Sequence, residues 1–504
     1  MLSAPASSPK ASFRSATVLV TAIVLSGCAA PNASPPRTSP SSPTILISEL
    51  PSRSPSDSSS EAQSNFDSLD SFEQMSGADW QAALTPLFNR AKGAVQLETR
   101  TNLSHVTFAV VPNETIEREV AAETGRLTHS QFTDSRFANH FLDTVMAGQS
   151  GTYAALYSTA TQQVMVSDSL LRSYINSVGN NAEAIKHALN ALLIHELVHA
   201  ADDSRYGIHR NRNLNFRASF AQSAVYEGHA QYVTRQICQQ SDCSPGLNSL
   251  DKFMFGEQLS PNKLPQPVQA VSRNVLEYSY VEGERFISSL AQRANGQNLI
   301  HDALSTPPVD PIQILDPSSF PNITRKQLNK ELLTASKNIA HPWTTKPWVR
   351  VETSPLKGVN LRSDPTRRTS AIDGFTRLIR GMVALQHYNQ SELDASPVEI
   401  TLMNAETAQT AEMFAQSLSS NLIYNSGGFA DEDVIWLNGT VPVSVINVKT
   451  QLDDGRSHVA MVASHETFVL QLVGLDIHNT TALDYTKSVL SNLTNASESV
   501  SQNY

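Results

Sequence analysis

His195, Glu196 and His199 stand in the run His-Glu-Leu-Val-His. Imidazoles four residues apart on a helix project from one face, so both can reach the same metal ion. Glu196 stays near that face, where its carboxylate can take a proton from water activated by the ion. This chemistry needs a helix to carry it. Residues 181–200 read NAEAIKHALNALLIHELVHA, with no proline or glycine, and Ile185, Ala188, Leu189 and Leu192 form a helical apolar stripe. His195, Glu196 and His199 continue the stripe, so the motif is expected to face inward.

A catalytic zinc site takes three protein ligands and keeps one position open. Downstream candidates are Asp202, Asp203, His209, Glu227 and His229. Residues 219–237, SFAQSAVYEGHAQYVTRQI, read as a second helix, with Phe220, Ala224, Ala230, Val233 and Ile237 available for packing. That helix would present Glu227 to the histidine pair, and Gly228 would let the two ligand-bearing helices approach closely. Glu227 is therefore the expected third ligand to one Zn2+; a surface carboxylate is the alternative. Asp203, four residues beyond His199, is better placed to accept a ring N–H from a ligand histidine than to bind the ion. A solvated carboxylate near a helix end is the other reading. His229 projects away from Glu227 and either lines the cleft or lies on the surface. His209 would make a three-histidine site of another kind. The metzincin spacing is absent, because Arg205 stands where its third histidine belongs.

The ends and the composition place the chain. Lys10 and Arg14 precede a short apolar run, Ala16 to Leu25, followed by Ser26-Gly27-Cys28. The run is too short for a permanent span, and the ending resembles a bacterial lipobox. The resemblance implies cleavage before Cys28, lipidation of its sulfur, and a location on the extracytoplasmic side of a cell membrane. An ordinary cleaved signal peptide is the alternative, and either way the chain is exported. Residues 29–68 are rich in Ser and Pro, with too little apolar surface to offset ordering entropy, and read as a disordered tether. The net charge of −10 carries no basic cluster, so nucleic acid is not an expected partner. Beyond Cys28 the only cysteines are Cys238 and Cys243, which in an oxidising compartment read as a local disulfide. Closing so small a loop stabilises by about 2 kcal/mol. Two free thiols are the alternative.

HELVHAADD followed by VYEGHAQYV resembles the gluzincin type of zinc metallopeptidase. More narrowly, it resembles a group of bacterial exported proteins with a third block. That block reads here Tyr280-Val281-Glu282-Gly283-Glu284-Arg285-Phe286, then Pro307-Pro308, then Gln313-Ile314-Leu315-Asp316-Pro317. The resemblance implies His195, His199 and Glu227 as ligands, Glu196 as general base and Asp203 as a supporting partner. It departs at His229, where the group often has an acidic residue, and at Asp202 and Ser204, which replace amides. A donor to the developing oxyanion is also required; Tyr280, Tyr226 and His229 are candidates. Glu282 repeats the Glu-Gly dipeptide and could face the site, cap a helix or brace the cleft. Residues 151–168 suggest a hairpin ahead of the motif, with Val164-Met165-Val166 as an edge strand for an extended peptide substrate. A plain sheet strand is equally compatible.

The expected fold is α+β: a mainly helical zincin-like metallopeptidase domain with a small sheet over 69–342, then a smaller α+β domain with an antiparallel sheet over 343–504. In the second, Trp343–Arg362 reads as loop and Ser396–Leu418 as strand, turn and helix. Val443–Val448, His458–Ser464 and Phe468–Val473 read as strands, and Thr481–Leu493 as a closing helix. No ligand cluster is evident there. The leading expectation is a lipid-anchored zinc metallopeptidase acting on a peptide or protein substrate. The alternatives are a non-catalytic, metal-stabilised envelope lipoprotein, and a zinc hydrolase of a cell-wall amide.

Overall fold

The computed structural model describes most residues between 75 and 501; the longest stretches outside that description are 208–215, 256–276, 322–331 and 354–378. Cys28, the leader before it, the 29–68 tether and His209 all lie outside the described residues. The chain is mixed α+β with two sheets. Among the described residues, no helix is long and apolar enough to cross a membrane.

The first body is mainly helical. Helix α1 (Gly77–Thr99) starts with a capping box in which Ser76 and Asp79 hydrogen-bond reciprocally. Strand β1 (Thr107–Val111), helix α2 (Asn113–Gln131) and the hairpin β2 (Ala155–Ser158) and β3 (Gln163–Ser167) follow. Next come α3 (Asp168–Val178), α4 (Ala182–Tyr206), α5 (Phe216–Gln240) and α6 (Ser244–Phe255). Helix α4 is apolar nearly all round and is buried accordingly, packed by α1, α5, α6 and β2. A disulfide joins Cys238 at the end of α5 to Cys243 just before α6. A π-helical turn over Glu277–Glu282 runs directly into α7 (Gly283–Ala291), followed by α8 (Gly296–Ser305) and the short α9 (Pro311–Leu315).

The small sheet has the order β1-β3-β2, with β3 parallel to β1 and antiparallel to β2. The run Val164–Val166, expected at an edge, is therefore central. β1 lies more than fifty residues upstream and covers the side that local reading left open. The outer edge of β1 is also occupied: the Gln81 side chain donates to the Phe108 carbonyl at 3.2 Å and accepts from the Val110 N–H at 2.6 Å. Strand β2 forms the other edge, against α4.

The second body is a seven-stranded antiparallel sheet of order β4-β5-β6-β10-β9-β8-β7. Its strands are β4 (Trp348–Thr353), β5 (Ile379–Asn389), β6 (Val398–Ala405), β7 (Phe429–Leu437), β8 (Val441–Gln451), β9 (Ser457–His465) and β10 (Phe468–Leu475). Side-chain alternation sends Val398, Ile400, Leu402, Leu470 and Leu472 to one core with α11 (Asn479–Ser501). Met403, Ala405, Val462 and Val469 go to another with α10 (Ala408–Ser426). The stretch read as loop after Trp343 contains β4, which pairs with β5 from Trp348 to Thr353. Leu332, Ala335 and Trp343 join the α11-side core, so this body draws in residues ahead of 343.

Candidate metal centre

Helices α4 and α5 bring His195, His199 and Glu227 together, all three buried. The His195 Nε2 stands 3.1 Å from the Glu227 Oε2 and 3.2 Å from the His199 Nε2. The His199 Nε2 stands 3.3 Å from the same carboxylate oxygen. Ligands about 2.0–2.1 Å from a tetrahedral ion stand about 3.3–3.4 Å from one another, so this triangle fits a single ion. Their arrangement leaves a fourth direction free of these ligands. The Nδ1 atoms of both rings are buried without a hydrogen-bond partner among the described residues, so both imidazoles engage through Nε2.

The electrostatics favour positive charge here. Burial works against a protonated His199, yet the Glu227 charge and hydrogen bond outweigh it and raise its pKa to about 9. Burial also opposes the Glu227 carboxylate, but His199 and hydrogen bonds from both imidazoles hold its pKa well below the usual range. A proton held among two nitrogens and a carboxylate is the place an incoming cation would take.

Glu196 is buried beside the cluster. Burial raises its pKa above the ordinary value, partly offset by His199 and His195, and the Tyr157 backbone N–H donates to its carboxylate. Tyr157 sits on β2, where Ala154, one register position from Ala155, pairs inward by accepting from the Ser167 N–H. Alternation along the strand turns the backbone groups of Ala155 and Tyr157 outward, toward α4.

Asp203 does not support a ligand imidazole in this arrangement. Its carboxylate accepts from the Tyr157 hydroxyl at 3.2 Å, while both histidine Nδ1 atoms lack partners. Position four beyond His199 gives the right helical face, but β2 lies against that face and its tyrosine reaches the carboxylate. His229 is turned from the cluster: its Nδ1 meets the Asp202 carboxylate at 2.8 Å, and both line a cavity of about 760 Å³ with Arg205, Tyr206 and His301. Tyr226 lies in an apolar cluster with Phe220, Tyr278 and Phe286.

Tyr280 does reach the site. Its ring stacks on His195 at a centroid distance of 5.6 Å and 23°, and its hydroxyl donates to the Glu227 carboxylate. Burial, then the negative charges of Glu227 and Glu196, push its pKa well up. Tyr153, not anticipated from the sequence, is close enough to feel the Glu227 charge; burial is the larger cause of its raised pKa. It lies within the 151–168 segment read as a hairpin, where nothing in the pattern marked it as a site residue.

The two Glu-Gly dipeptides meet through their glycines. A Cβ on Gly228 would stand 2.0 Å from the Gly283 carbonyl carbon, and one on Gly283 would stand 2.0 Å from the Ala224 carbonyl oxygen. The close approach at Gly228 is thus with α7, not with α4 as expected; one residue after Glu227, it lies about 100° around α5 from the ligand. Glu282 is a brace: it accepts from the Arg285 Nε at 2.8 Å, and Arg285 also donates to the Leu315 carbonyl at 2.6 Å. That contact ties the Tyr280 block to the Gln313–Pro317 block.

No family model matches the chain, and no curated protein or solved structure is found to be similar to it.

Proposed function

We propose that the chain is an exported zinc metallopeptidase of the gluzincin type, lipid-anchored through Cys28 outside the cytoplasmic membrane. The observation that carries this reading is the buried triangle of His195, His199 and Glu227 with Glu196 beside it. Nitrogen and carboxylate donors in a set of three are what a hydrolytic zinc site uses. When bound, the ion supplies a Lewis acid that acidifies water and polarises a carbonyl.

The protein's own groups divide the remaining work. Glu196, with a raised pKa and an anchor on the Tyr157 N–H, accepts the proton from attacking water and returns it to the leaving amine. The outward backbone groups of Ala155 and the outward carbonyl of Tyr157 on β2 suit pairing with an extended peptide, which would deliver its carbonyl beside Glu196. Tyr153, which feels the Glu227 charge, and Tyr226 are the candidate donors to the oxyanion; the Tyr280 hydroxyl is given to Glu227 and His229 meets Asp202.

A second reading has its own support. His195 and His199 are 3% exposed and Glu227 1% exposed, a degree of enclosure that suits a metal held for stability in a non-catalytic envelope lipoprotein. Glu196 argues against it, since a structural ion needs no carboxylate base beside it.

The deciding experiment is cleavage of a mixed peptide library by the zinc-loaded full-length chain and by Glu196→Gln. The expected result is cleavage by the first, a loss of about 10²–10⁴-fold in the second, and equal zinc in both. Equal cleavage rates would remove Glu196 as the base. No cleavage by either, with zinc bound, would favour the second reading.

A further inference from the structure

The residue that fixes Glu227 as a ligand is not legible in the HExxH motif or on either ligand-bearing helix. A carboxylate ligand needs a fixed direction, and the groups that hydrogen-bond to it set that direction and its affinity for the ion. Two features converge on Glu227 from outside α4 and α5. The first is the Tyr280 hydroxyl, donated to the Glu227 carboxylate, with the ring of the same residue lying on His195. One side chain therefore touches two of the three ligand residues.

The second feature is how Tyr280 is delivered. It lies in the π-helical turn Glu277–Glu282, and π turns insert an extra residue that re-aims the side chains around them. The turn ends at Glu282, and the next residue, Gly283, lies with its backbone directly against Gly228, the residue after Glu227. The backbones are in contact there with no side chain between them, so the distance from the Tyr280 turn to the ligand is set by two glycines. Glu282 and Arg285 then hold the turn to the Leu315 carbonyl. These contacts hold the turn that carries Tyr280.

We propose that Tyr280 is the positioning residue of the metal centre, orienting Glu227 through its hydroxyl and holding the His195 ring by stacking. The proposal rests on the metal-site reading above. It assigns a task to the Tyr280–Phe286 block that the ligand set alone does not require.

The test is zinc affinity of the full-length chain, by competition with a chromophoric chelator, together with the visible spectrum of the cobalt-substituted protein. Tyr280→Phe keeps the ring and removes the hydroxyl. It should bind zinc about 10–100-fold more weakly and shift the cobalt bands, as for loss of a hydrogen bond to a ligand. In a Glu227→Ala background the same substitution should have no further effect, because Tyr280 acts through Glu227. A merely structural role would weaken binding equally in both backgrounds and would overturn the proposal. So would wild-type affinity and an unchanged cobalt spectrum in Tyr280→Phe, leaving the metal site itself standing. Failure of the wild-type chain to bind zinc or cobalt would overturn the metal-site reading and this proposal together.

Discussion

In the helical body, His195, His199 and Glu227 place three ligand atoms within about 3.3 Å of one another. In the sheet body, buried and half-buried polar groups meet as amide or hydroxyl donors facing oxygen acceptors. Tyr388 donates to Gln386 at 2.6 Å, Gln386 to Glu399 at 3.2 Å, and Asn447 to Asp433 at 3.2 Å. Both bodies bury polar side chains, and each leaves some atoms without a hydrogen-bond partner among the described residues: His195 Nδ1 and His199 Nδ1 in the first, Asn447 Oδ1 and Gln471 Oε1 in the second. The first alone, among the described residues, brings two imidazole nitrogens and a carboxylate oxygen to one point. Among the described residues it holds the one cluster of His, Cys, Asp or Glu suited to a metal. The difference teaches that burial of polar side chains does not mark a site; convergence of metal-binding atoms at one point does.

Four perturbations would break or sharpen that contrast. Metal removal by a strong chelator should have the largest effect, about 4 kcal/mol where the free ion had stood at a thousand times Kd. Calorimetry should show it in the unfolding of the helical body and leave the sheet body unmoved. Next is Leu470→Ala, which removes a fully buried side chain from the α11-side core. It should cost about 3 kcal/mol in the sheet body with zinc content intact. Gly228→Ala should cost about 2–3 kcal/mol, because the added methyl meets Gly283 backbone that cannot swing aside. Unlike Leu470→Ala, it should also lower zinc affinity, through displacement of the Tyr280 turn.

The smallest effect belongs to the α1 cap. Ser76→Ala should cost about 1 kcal/mol at neutral pH, read by denaturant unfolding. Hydrogen bonds from the Ser76 side chain and backbone hold the Asp79 carboxyl below its ordinary value. A folded-state pKa below the unfolded one stabilises above the unfolded value, and that contribution is lost as pH falls through the folded value. The penalty of Ser76→Ala should therefore shrink in acid, and a pH-independent penalty would deny the Asp79 part of the cap.

The part of the site carried by helical period was legible in the sequence. His195, Glu196 and His199 share a face by spacing alone, and Glu227 follows from a second periodic segment that must pack nearby. The seven-stranded sheet was legible in outline for a related reason: β8 alternates buried and exposed residues, and β9 and β10 are apolar runs of strand length. What escaped depends on contacts between distant segments. Asp203 had the right face but met Tyr157 from β2. Val164–Val166 looked like an edge until β1 paired with it. Tyr153 has no pattern of its own, and the repeated Glu-Gly dipeptide gained meaning only when Gly228 and Gly283 met.

The most direct measurement is zinc per full-length chain by elemental mass spectrometry, for the wild type and for Glu227→Ala. The account predicts close to one zinc in the wild type and a clear loss in the variant. No zinc in either chain after reconstitution with the metal would contradict it.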